Sequence, residues 1–174
     1  LAITDYVDFT PRRQIAISLA GPAAGLTAAA ATILLLWLTG HAAGVQLGGK
    51  FRFEGLDLDA AYSLPLMFIN VYWAPPTPPL ADLVVAALLQ VNIYWSILNL
   101  LPIYPLDGGR VSRELCTISS PAAGIVRSLQ ISLATAAVVV LYALVQGQLF
   151  LALLLGYLGY ANFQTLRRYQ GSRW

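Results

Sequence analysis

Residues 87–110 read ALLQVNIYWSILNLLPIYPLDGGR, and the interpretation of the whole chain turns on this stretch. It is uncharged as far as Leu101, as a membrane-crossing helix must be, yet it carries Asn92, Ser96 and Asn99 at i, i+4 and i+7. At about 100° per residue these three fall on one helix face. A polar side chain within a span is costly against lipid, so the stripe is expected to look into a helix bundle or a hydrated cavity. Hydrogen bonding to neighbouring helices accounts for Asn92 and Ser96 as well as any functional role does. Gln90 points elsewhere.

Pro102, Pro105, Gly108 and Gly109 then follow in quick succession around Asp107. Two prolines prevent a regular helix, and two glycines allow tight backbone turns, so the span ends or breaks here. Backbone freed at membrane depth is tolerated only where protein buries it or water reaches it. Asp107 inside such a segment has three open roles: binding a metal, accepting a proton, or pairing with Arg110. An Asp-Gly pair taken alone marks a turn.

Working outward, the 174 residues are 58% hydrophobic and 10% charged, with a mean hydropathy of +0.69. Soluble domains carry about 25% charged residues, and disordered chains are poor in apolar residues, so both classes are excluded. The sequence predicts an all-α polytopic membrane protein with about four transmembrane helices and a short extramembrane hairpin. The spans are expected at 15–38, 80–103, 129–146 and 149–166. The first, at about 1.5 Å per residue, is roughly 36 Å long and exceeds a hydrocarbon core of about 30 Å. On it Gly21, Gly25, Ala28 and Thr32 make a small-residue face suited to close helix approach, and Pro22 is expected to bend it. Gly156 and Gly159 are expected to be packing notches in the fourth span.

The connection at 39–79 is read as extracytoplasmic or interfacial. FRFEGLDLD at 51–59 alternates as a short strand does, which predicts a hairpin over 48–59. Leu64–Trp73 is apolar but too short to cross, so it is expected at the interface. Of ten basic residues, Lys50 and Arg52 fall on this side, and the remaining eight fall in 1–14, 104–128 and 167–174. That asymmetry predicts that these three segments, Asp107 included, are cytoplasmic. The arginines sit singly or in pairs at the edges of apolar runs, so nucleic acid is not an implied partner. Cys116 is the single cysteine, which leaves no internal disulfide, and a structural role is expected for it.

Asn99-Leu100-Leu101-Pro102-Ile103-Tyr104-Pro105-Leu106-Asp107-Gly108 resembles the N-x-x-P-x-x-x-x-D-G motif of the site-2 protease family of intramembrane zinc metalloproteases. Ala20-Gly21-Pro22 resembles the Ala-Gly-Pro helix start of the same family. The resemblance covers roughly residues 11–115 and implies a membrane metalloprotease that cleaves transmembrane protein substrates. It implies Asp107 as the third protein ligand of a catalytic Zn2+, and Asn99 as a residue that positions the substrate backbone or reacting carbonyl. Pro102, Pro105, Gly108 and Gly109 would shape the turn that aims the carboxylate.

The family draws its other two ligands and its general base from an H-E-x-x-H helix, and these 174 residues contain none. The single histidine, His41, lies in Gly-His-Ala-Ala-Gly with no glutamate behind it and is expected to be interfacial. The chain is therefore expected to be the C-terminal part of such an enzyme, inactive without the segment that carries the histidines. Two alternatives stay open: a non-catalytic membrane relative acting as a scaffold, and a transporter-like bundle in which the polar residues line a solute path. No inverted repeat supports the latter.

Overall fold

The computed structural model describes residues 10–41, 43–47, 62–66, 69–74 and 79–171. Its helices are α1 (Pro11–Leu38), α2 (Pro79–Leu89), α3 (Trp95–Leu100), α4 (Asp107–Ser119), α5 (Pro121–Val145) and α6 (Leu149–Gly171). A π-helical turn, Gln90–Tyr94, joins α2 to α3. The strands are β1 (Ala43–Leu47), β2 (Tyr62–Leu66) and β3 (Ile69–Trp73). Among the described residues four helical stretches are long and apolar enough to cross a membrane: Pro11–Leu38, Leu80–Leu100, Ala123–Val145 and Leu149–Gln170. The protein is an all-α polytopic membrane protein to which a small sheet is added.

The chain divides into two compact units. One comprises residues 23–97. Its sheet has the order β1-β3-β2, with both pairs antiparallel and Val71 standing opposite Val45 and Leu64. Leu64–Trp73, expected as an apolar interfacial segment, instead supplies most of β2 and all of β3. Its alternate residues can face a protein core once a partner strand satisfies the backbone. Pro65 lies in β2, an edge strand, where a missing N–H costs the ladder least. Val71 and Trp73 share a face of β3 and are buried with Ala29 and Leu36 of α1, Ala43, Leu89 and Ile93. The Trp73 indole N–H donates to Asp82 Oδ1 at 2.7 Å, and the Trp37 indole donates to the Ala43 carbonyl at 2.6 Å. The hairpin expected over 48–59 lies outside the described residues.

The other unit comprises residues 1–22 and 98–174. Here α5 packs along α6 and α4 packs on α5. Gly159 is a true packing notch, since a Cβ on it would lie 3.1 Å from the Ala136 Cβ. Gly156 is not a notch, because a Cβ there would meet nothing within 4 Å. Gly124 lets α5 start against the backbone of Cys116 and Thr117. The helix of the third span begins at Pro121, ahead of the apolar run expected from 129. The expected start excluded the polar pair Arg127-Ser128, through which the helix hydrogen bonding runs unbroken.

The small-residue face of α1 is phased differently from the sequence expectation. Ser18, Pro22, Ala29 and Leu36 are its buried positions, whereas Ala28 is exposed. A seam of about 3.6 residues per turn that passes through Pro22 and Gly25 reaches Ala29 before Ala28. The Thr27, Thr32 and Thr165 hydroxyls donate to carbonyls four residues back on their own helices, at 2.7, 2.9 and 2.9 Å. This satisfies them without a neighbouring helix.

Candidate functional site

The polar stripe does not act as one unit. Asn92 lies in the π-turn and donates through Nδ2 to the Leu88 carbonyl at 2.8 Å. Ser96 is 5% exposed, and its hydroxyl occupies the place where a Cβ on Gly25 would stand. The Asn92 carbonyl lies 3.1 Å from that same point. These two residues thus serve the close approach of two helix backbones, as hydrogen bonding and packing would have them do. π-turns inside α-helices recur at functional sites, and this one sits where Gly25 removes the steric barrier. Asn99 is half-buried and its amide makes no hydrogen bond with any described residue.

The chain after α3 is irregular from Leu101 to Leu106 and includes a cis Tyr104–Pro105 peptide. The Leu101, Ile103 and Leu106 N–H groups donate to nearby backbone carbonyls, and the Tyr104 N–H and carbonyl are satisfied by buried side chains from the last two helices. Ser132 Oγ, with no exposure, accepts from the Tyr104 N–H at 3.1 Å. Asn162, 2% exposed, donates through Nδ2 to the Tyr104 carbonyl at 2.6 Å and to the Leu158 carbonyl at 2.8 Å. The sequence reading missed both residues. The available signal was a polar side chain within each apolar run, the same signal that singled out Asn92 and Ser96. Pro102 is half-buried and Pro105 exposed, on either side of Ile103, which has no exposure at all.

Asp107 is the first residue of α4, where an acidic group is favoured by the unsatisfied N–H groups and the helix dipole. Gly108 and Gly109 do not form a glycine turn. Both are helical and buried, and the positive-φ glycines among the described residues are Gly40 and Gly147. Their role is close approach. A Cβ on Gly108 would come within 2.6 Å of the Leu101 carbonyl oxygen and nearer still to Leu100, and one on Gly109 would collide with the Ile103–Tyr104 backbone. The start of α4 is thereby pressed onto the end of the preceding chain, which sets where the Asp107 side chain begins.

The carboxylate of Asp107 has no partner among the described residues. It makes no hydrogen bond or ion pair with any described residue, Arg110 included. One oxygen, Oδ2, lies 3.5 Å from the position of a Cβ on Gly21. The Ala20-Gly21-Pro22 segment of α1 and the Asp107-Gly108 start of α4 are thus brought face to face across a space that the missing side chain leaves open. Pro22 is fully buried beside it, Gly21 is exposed and Asp107 is half-buried.

His41 follows α1, half-buried, with its Nδ1 3.1 Å from the Thr39 hydroxyl. Among the described residues no group of three or more His, Cys, Asp or Glu could hold a metal. A catalytic zinc needs three protein ligands, so the described residues do not by themselves fit one. What they offer is the Asp107 carboxylate at a rigid helix start, without a partner among the described residues.

The family model described as peptidase family M50 matches residues 6–145. No curated protein and no solved structure matches the chain. The matched region takes in the α1 notch, the broken end of the second span and the start of α4. The chain belongs to peptidase family M50, the site-2 protease family of membrane metalloproteases.

Proposed function

We propose that this chain is the part of a membrane-embedded zinc metalloprotease that supplies one carboxylate ligand, Asp107, and the substrate-facing amide of Asn99. The observation that carries the reading is the partnerless Asp107 carboxylate opposite Gly21. The start of α4 favours the charge of Asp107, but no hydrogen bond or ion pair with a described residue uses its oxygens, which leaves them available as those of a metal ligand must be. The opening at Gly21 gives further donors an approach to it. They would come from an H-E-x-x-H helix, which these 174 residues do not contain.

In this family the metal supplies Lewis acidity for peptide hydrolysis. The tasks of this chain's own residues are positional. Gly108 and Gly109 hold the start of α4 against the preceding backbone, Ser132 and Asn162 fix the peptides before it, and Asn99 presents a donor and an acceptor to an extended substrate backbone. The substrate is a transmembrane protein, the surrounding partners are membrane lipids, and the Asp107 end of the bundle faces the cytoplasm.

The test begins with the complete reading frame, where an H-E-x-x-H within an apolar helix is expected; without it the protein would be a non-catalytic relative. In a frame that has it, Asp107→Ala should abolish cleavage of a membrane substrate and lower bound zinc while membrane insertion is retained. Full activity in that variant would overturn the ligand assignment. Asn99→Ala should lower turnover more than zinc content.

A further inference from the structure

A second polar feature of the same unit lies apart from Asp107. Gln14 of α1, Tyr104, and Arg110, Arg113 and Glu114 of α4 line a cavity of about 290 Å3. It is at the small end of ligand cavities, which run from about 300 to 1,000 Å3. The side chains of Gln14, Arg110 and Glu114 form no hydrogen bond or ion pair with any described residue. Arg110 and Glu114 are spaced i, i+4, an arrangement that commonly pairs, yet they do not pair here. The Arg113 guanidinium is held over the Tyr104 ring, 5.5 Å from its centroid. That cation–π contact fixes its position, and its N–H donors are not used by any described residue.

We propose that this cavity binds the phosphodiester of a membrane phospholipid headgroup. The two guanidiniums provide planar N–H forks for phosphate oxygens. Two positive charges against the one of Glu114 leave a net charge of +1. That matches a phosphodiester monoanion, and the Glu114 carboxylate is placed to accept from a headgroup hydroxyl or ammonium.

The position of the cavity along α1 favours a lipid over a free anion. Gln14 immediately precedes Ile15, where the apolar run of the first span begins, so the cavity lies at headgroup depth. Tyr104 is an aromatic of the kind enriched at that depth, and basic pockets between spanning helices are a known way of holding anionic headgroups. Lipid phosphate is present in both leaflets, so the proposal does not depend on sidedness.

The experiment uses the 174-residue chain in detergent micelles doped with phosphatidylglycerol or with phosphatidylcholine, with retained lipid counted by native mass spectrometry. Phosphatidylglycerol should be retained in preference to phosphatidylcholine. At the usual contribution of a basic residue near a membrane surface, Arg110→Gln with Arg113→Gln should weaken that retention about thirtyfold. Arg110→Lys with Arg113→Lys keeps the charge and loses the forks, and should give an intermediate loss.

Arg167→Gln with Arg168→Gln removes two arginines of α6 as a matched control and should leave retention unchanged. Equal loss in the control pair would overturn the proposal, because general surface charge would then suffice. So would failure of the folded lysine pair to differ from the parent chain. Displacement of the lipid by millimolar inorganic phosphate would reassign the cavity to a free anion and overturn the lipid source.

Discussion

Asn162→Leu tests whether the last two helices hold the segment that precedes Asp107. The substitution keeps side-chain size and removes one Nδ2 group that serves two carbonyls. The Leu158 carbonyl retains its own helical partner, so the loss there is small. The Tyr104 carbonyl has no other donor among the described residues, and it is left part-buried and unpaired. Such a group costs about 1–3 kcal/mol, whereas interhelical hydrogen bonds in membranes average about 0.6 kcal/mol with a maximum near 1.7.

The higher range applies because the Tyr104 peptide lies in an irregular segment with no helical alternative. For a chain of this size about 1 kcal/mol shifts the unfolding midpoint by about 2–4 °C, so a fall of about 2–12 °C is expected. Thermal unfolding in detergent, followed by tryptophan fluorescence, measures it. Hydrogen exchange supplies the local readout: in Ser132→Ala the Tyr104 amide, which donates to Ser132 Oγ, should exchange faster than in the parent. The two substitutions act on consecutive peptides of one segment, so their effects should be less than additive. An unchanged midpoint in Asn162→Leu together with unchanged Tyr104 exchange in Ser132→Ala would refute the reasoning.

Three further outcomes follow from the glycine contacts and the sheet. Gly21→Ala should be neutral or stabilising by up to about 1 kcal/mol, since a Cβ there makes an ordinary contact and Ala is the better helix former. Gly25→Ala should destabilise by about 1–3 kcal/mol, because the Ser96 hydroxyl and the Asn92 carbonyl occupy the space, and the opposite signs of the two variants are read in one melting series. Asp82→Ala removes the Oδ1 that accepts from the buried Trp73 indole N–H and should cost about 1.5–3 kcal/mol, with a change in tryptophan emission as that hydrogen bond is lost.

The membrane class and the broken end of the second span were legible because they rest on local properties. Leu80–Leu101 is apolar over a bilayer's length, and Pro102 and Pro105 cannot continue a helix in any context. The M50 motif was legible for the same reason, as its residues lie within one short stretch. The strands were not, because Tyr62–Leu66 and Ile69–Trp73 are short apolar runs whose periodicity does not separate strand from interfacial helix. Their identity depends on pairing with Ala43–Leu47, which is distant in the chain.

By itself the sequence determined that the chain spans a membrane, where its second span must stop, and which carboxylate stands at that break. Only the tertiary structure decided what each polar or small residue does there. Ser132 and Asn162 are polar residues within apolar spans, and only the fold places the Tyr104 peptide between them. Gly108 and Gly109 suggested a turn and proved to be contact points for a backbone that no local pattern could position. Asp107 could equally have paired with Arg110. A hydrogen bond or close approach is a property of two chain positions at once, and a sequence specifies each position without stating which will meet.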